Sequence, residues 1–98
     1  MWPPMIELPL PESISSEEKA RELIRMWHSE DGELTVTIDG WLDNPNVCGR
    51  LIVDLAVLIA KEYVATNVWR GTLEAALYRI LSAADVEIQN PTNSPVLE

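Results

Sequence analysis

The sequence predicts an α+β fold in one small domain. The expected order is β-α-β-α-α, with a short sheet of one or two strands packed on three helices. Three observations lead there. Residues 33–39 alternate between polar and apolar side chains, residues 44–63 form a long and mostly apolar helical stretch, and residues 72–84 repeat apolar residues at helical spacing. With 98 residues the chain has length for one domain and not two. Residues 1–14 read as an extended arm or edge strand, 15–89 as the globular part and 90–98 as a disordered tail.

The first segment, Met5 to Leu10, carries Pro9 and is followed by Pro11. Neither proline can donate to a strand ladder, so only an edge strand or an arm fits. A helix is expected from about Ser16 to about Ser29. Ser15 and Glu18 have capping-box spacing, and Ala20, Leu23, Ile24 and Trp27 recur at i, i+3, i+4 and i+7. Gly32 supplies the stop. Leu34, Val36 and Ile38 then alternate with Thr35 and Thr37, the pattern of a half-buried strand. A lone strand cannot satisfy its own backbone groups. Its partner is Met5–Leu10, the Trp41 segment after the Asp39-Gly40 turn signal, or the same strand of a second chain, which would make a dimer.

The long helix begins at Asn44, with Pro45 at its first position, where a missing N–H costs nothing. Around its axis the residues fall on three faces. Cys48, Ile52, Leu55, Ile59 and Tyr63 make a large apolar face, expected to be the deep core. Gly49, Ala56 and Ala60 make a small-residue face suited to close approach by another helix, either the third helix or a symmetry mate. Arg50, Asp54 and Lys61 share a narrow polar arc. So thin a polar strip is hard to reconcile with a domain this small unless a partner chain covers part of the rest. Thr66 to Gly71 is a connection, and Thr72 caps a third helix carrying Leu73, Ala76, Leu77, Ile80 and Ala84 on one face. Asn90-Pro91-Thr92-Asn93-Ser94-Pro95 is expected to end regular structure.

Composition narrows the function classes. Hydrophobic residues make up 47% of the chain, enough for a core, while Phe is absent and the aromatic content is 6%. The net charge is −9, from 16 acidic and 7 basic residues. That argues against nucleic acid or an anionic membrane as partner, since both require a positive field, and it leaves room for a basic protein partner. The single cysteine, Cys48, forms no intramolecular disulfide, and the N-terminal residues lack a secretory signal pattern. A cytoplasmic setting is expected. The ten-residue apolar run within the long helix is about half of what a bilayer span needs.

With these residues in place, the chain resembles a family of short bacterial proteins classed as a domain of unknown function. The likeness rests on Glu7-Leu8-Pro9-Leu10-Pro11, Arg25-Met26-Trp27, Trp41, Asn44-Pro45, Gly49, Asp54-Leu55-Ala56, Ile59-Ala60, Tyr63 and Asn90-Pro91-Thr92. Members of that family tend to place Trp before the glycine and His shortly after the Leu-Ala pair. This chain has Cys48 and Leu58 at those positions, so no histidine role in that helix carries over. The resemblance implies no activity, cofactor or partner.

The chemical signals are sparse. His28, the single histidine, falls in the last turn of the expected first helix, where the dipole favours its charge, and no nucleophile or carboxylate partner is evident. Cys48 lies in the first turn of the long helix, which would favour a thiolate, but on the apolar face, which favours burial. One Cys and one His make a metal site improbable, and neither metal nor cofactor is expected. Trp27, Trp41 and Tyr63 serve either as core or as the wall of an apolar pocket. Asp54, with Arg50 and Lys61 on its face, is either part of a solvated strip or a polar seam inside an oligomer interface. The expected function is a non-catalytic, acidic protein-interaction module, homodimeric through strand pairing or the small-residue helix face. The candidate interface or pocket residues are Trp41, Cys48, Gly49, Asp54, Ala56, Ala60 and Tyr63. The alternative is a small-ligand-binding protein or minor enzyme with a pocket of Trp41, Tyr63 and Cys48. A third reading, from charge alone, is an acidic antagonist of a basic protein.

Overall fold

The computed structural model describes residues 4–40, 43–92 and 94–98. Two compact units emerge. One comprises Met1–Trp41 with Ser94–Glu98, the other Leu42–Asn93. The α+β class, three helices and a short sheet are all present. The first unit holds a one-turn helix α1 (Glu12–Ser15), strands β1 (Ile24–His28) and β2 (Leu34–Ile38), and the short β3 (Val96–Leu97). The second holds α2 (Pro45–Ala65) and α3 (Leu73–Gln89).

The first half of the chain departs from expectation at one element. The helix anticipated over residues 16–29 is absent. Its only helical turn lies upstream in α1, and Ile24–His28 is a strand. The partner that β2 requires is therefore β1, antiparallel, with Ile24 opposite Ile38 and Trp27 opposite Thr35. Local helical periodicity lost to the ladder. A helix over 16–29 would have left β2 without this neighbour, whereas a hairpin pairs both segments at the cost of one short turn. The turn chemistry is specific. Gly32 donates its N–H to Ser29 O at 3.0 Å, and Ser29 donates to Glu33 O at 2.9 Å. Gly32 sits at φ +92°, a conformation that L side chains rarely adopt. The Asp31 carboxylate accepts from the Ser29 hydroxyl and, at 3.1 Å, from the Glu33 N–H. These bonds, the Ser29 hydroxyl first, hold the Asp31 carboxyl below the usual carboxylate range.

The opposite edge of β2 is taken by β3, which runs parallel to it with Thr35 opposite Val96 and Val36 opposite Leu97. The segment expected as a disordered tail thus ends in a strand, and Glu98 donates its N–H to Val36 O at 2.9 Å. The physical reason is the same: β2 offers backbone groups on both edges. In this sheet of order β1-β2-β3, Ile24, Met26, Leu34, Val36 and Ile38 share one face.

The second unit is an α-helical hairpin close to expectation. Asn44 caps α2 by accepting from the Asn46 N–H at 2.9 Å, with Pro45 in the first turn. The hydroxyl of Thr72 caps α3 through the Ala75 N–H at 3.1 Å. Between them Asn67 adopts φ 61°, and Trp69 donates its N–H to Tyr63 O at 3.1 Å. The Trp69 ring lies against Gly71, where an added Cβ would stand 2.7 Å from Nε1. At the far end of α3 the Glu87 carboxylate accepts from the Thr92 hydroxyl at 2.6 Å and the Thr92 N–H at 2.9 Å. That gives the Asn-Pro-Thr ending a physical task.

Burial reverses the assignment of faces on α2. Among the described residues the buried hydrophobics are Ala56, Ala60 and Ala76. Ala56 and Ala60 of the small-residue face make the helix–helix contact, because small side chains let the axes approach, while Gly49 of the same face stays exposed. The face expected as deep core is largely open: Ile52 is 66% exposed and Leu55 52%, and Tyr63 is also exposed. Cys48 and Ile59 are half-buried.

Two outcomes follow from these local geometries. Gly71→Ala should displace the Trp69 indole and cost about 1–3 kcal/mol, the usual penalty of overpacking. A lowered denaturant midpoint is the expected reading, and an unchanged one would contradict the contact. The depressed Asp31 carboxyl supports the hairpin at full strength above its unfolded-state pKa and loses that support as pH falls through the folded value. Asp31→Asn should remove that part of the acid dependence, with the carboxyl titration of the parent protein followed by NMR.

Candidate functional site

The candidate residues named from sequence fall almost entirely on α2. Cys48, Gly49, Asp54, Ala56, Ala60 and Tyr63 all belong to it, while Trp41 lies outside the described residues. They do not form one site. Ala56 and Ala60 are closed off within the hairpin. Cys48 stands in the first turn of α2 and Tyr63 in the last. At about 1.5 Å of rise per residue they are on the order of 20 Å apart, too far to wall one small-molecule pocket. Trp27 belongs to the sheet unit and Tyr63 to the helical unit.

Gly49 and Asp54 remain together. With Pro45, Asn46, Arg50 and Val53 they line a shallow groove of about 450 Å³ near the N-terminal end of α2. The position of a Cβ on Gly49 has nothing within 4 Å, so the groove is open there. The ion pairs found among the described residues are Arg21–Asp39, Arg25–Glu7 and Arg25–Glu22. All lie in the sheet unit. Asp54, Arg50 and Lys61 have no such partner among the described residues, so the polar arc is not a chain of intramolecular pairs.

The sheet unit carries a second concavity that the sequence did not disclose. It has a volume of about 570 Å³ and is lined by Pro4, Met5, Ile6, Trp27, His28, Ser29, Glu30 and Thr35. His28, placed from sequence at a helix end, is instead the exposed last residue of β1. Arg25 ties the N-terminal arm to this strand, donating to Glu7 at 3.2 Å and gripping Glu22 at 3.0 Å. The arrangement depends on Ile24–His28 being a strand, and a helix over residues 16–29 would not produce it. The one available signal was the Ser29-Glu30-Asp31-Gly32 turn, which precedes the β-branched strand as a hairpin requires.

The carboxylates with shifted acidity are Asp31 and Glu87, both lowered. The first serves the hairpin turn. The second is held down by the Thr92 hydroxyl, then by the Thr92 N–H, at the end of α3. Among the described residues no group of three or more His, Cys, Asp or Glu is placed to hold a metal ion. No described helix is long and apolar enough to cross a membrane.

Comparison with known proteins places the chain. No curated protein matches it. A solved structure from the photosynthetic bacterium Rhodopseudomonas palustrus CGA009, described as a "putative pyruvate dehydrogenase", is similar at 28% identity and a TM-score of 0.70, over 96% of this chain and 94% of that one. The model of the family called Domain of unknown function (DUF5076) matches residues 7–92. These limits run from the Glu7-Leu8-Pro9 arm to Thr92 beside Glu87, and the chain belongs to that family.

Proposed function

We propose that the protein is a non-catalytic, acidic protein-interaction module that works as a homodimer, with α2 supplying the contact. The observation that carries this reading is the mismatch between what α2 buries and what it exposes. Its two buried side chains are alanines, packed near Ala76 of α3, while Val53 and Leu58, which border the Arg50–Asp54–Lys61 arc, stay open, as do Ile52 and Leu55 away from it. Covering Val53 and Leu58 adds roughly 1 kcal/mol per side chain, because each is already about half covered.

The two routes to self-association expected from sequence have internal occupants: β2 is paired on both edges, and the small-residue face of α2 holds α3. The rest of the α2 surface stays open to a partner. The net charge of −9 adds a preference for basic protein partners beyond the dimer, and the lone cysteine fits a cytoplasmic setting.

Sedimentation equilibrium at micromolar concentration tests the reading. A dimer mass that dissociates reversibly on dilution is expected. A strict monomer up to hundreds of micromolar would overturn it.

A further inference from the structure

Building on the homodimer reading, we infer that the second copy docks antiparallel along α2, in a register fixed by reciprocal pairs between Arg50 and Asp54 of the partner subunit. Asp43, Arg50, Asp54 and Lys61 follow one another at intervals of seven, four and seven residues, with charges alternating in sign. Reversed end for end, this series meets its own complement. A two-fold axis over residue 52 sets Arg50 against the partner's Asp54 and Asp54 against the partner's Arg50. Lys61 then faces the partner's Asp43. Self-complementarity of this kind is what an isologous contact requires.

The same four positions lie on one stripe with Val47 and Val57, at the alternating steps of four and three that keep residues on one side of a helix. In this register Val47 opposes the partner's Val57. Leu51 and Val53 flank the seam on either side of the axis, where each lies near its own counterpart. Val53 is 48% exposed in the single chain and Leu58, further along the flank, 59%. The open groove over Gly49, Arg50, Val53 and Asp54 leaves room for incoming side chains.

Two further facts favour an intermolecular role for these charges. Asp43, Arg50, Asp54 and Lys61 make no ion pair or side-chain hydrogen bond among the described residues. Arg50 also precedes Asp54 by one turn, the weaker orientation for pairing within a helix, because the base sits nearer the N-terminus. A partner helix at 8–10 Å brings opposite charges into reach without that handicap.

Charge reversal with rescue tests the register on the full chain, read by sedimentation equilibrium at low and high salt. Arg50→Asp and Asp54→Arg should each weaken the dimer by roughly tenfold or more, since each places like charges face to face. The double variant Arg50→Asp/Asp54→Arg restores opposite pairs and should return to within about threefold of the parent affinity. Lys61→Asp with Asp43→Lys repeats the test at the outer pair. Circular dichroism checks that each variant stays folded, which the exposure of these side chains favours. If the parent dimer is indifferent to the single reversals, or the double variant is no better than either single one, the register is overturned and the dimer stands. If the parent chain is a monomer, the homodimer reading falls first and the register with it.

Discussion

The close approach of α2 to α3 through Ala56, Ala60 and Ala76 is the contact on which the helical unit depends. Helix axes come near only where side chains are small. Once the alanines take the contact, the larger residues of α2 have to stand elsewhere. That one choice turns Ile52 and Leu55 outward and leaves the Arg50–Asp54–Lys61 arc beside an open groove. The helical hairpin is thus well specified at its seam and at its caps, and open over much of the remaining α2 surface.

The sheet unit follows a different logic. β2 is the strongest strand former in the chain, and its two edges recruit whatever segment can reach them. One edge takes β1 across a turn that needs Gly32 at positive φ, and the other takes β3 from the far end of the sequence. Backbone satisfaction, and not side-chain burial, dominates here, since every residue of β1 except Trp27 is exposed. The two units share an economy of means: each is built on one well-defined contact, and among the described residues neither encloses a large side chain completely.

The sequence was most legible where a signal had a single physical meaning. Asn44-Pro45 opens α2, Thr72 opens α3, and the Thr35–Thr37 alternation is a strand, all as read. It was least legible between Ser16 and Ser29. There Ala20, Leu23, Ile24 and Trp27 fit a helix stripe, while Leu23 and Trp27 are also half-buried at strand spacing on one side of the hairpin. A short apolar run obeys both periods, and the ladder demand of β2, a tertiary term, decides. The faces of α2 were divided correctly, but their tasks were exchanged. Ranking faces by hydrophobicity favoured the Cys48–Tyr63 side, whereas steric approach favoured the alanines. The concavity beside Trp27 and His28 was invisible because it exists only once the hairpin has formed.

The arm that Arg25 fastens beside β1 has a further consequence. β1 is the outer strand of the sheet, and it borders a run that includes Pro9 and Pro11. An unguarded outer strand is a template on which further chains can stack, and prolines beside it cannot extend the template because they bring no N–H. Tied to Arg25 through the Glu7 carboxylate at 3.2 Å, the arm sets beside that strand a proline-bearing segment that offers fewer N–H groups to a ladder. In a protein that leaves much apolar surface open, growth by strand addition on that side is thereby discouraged.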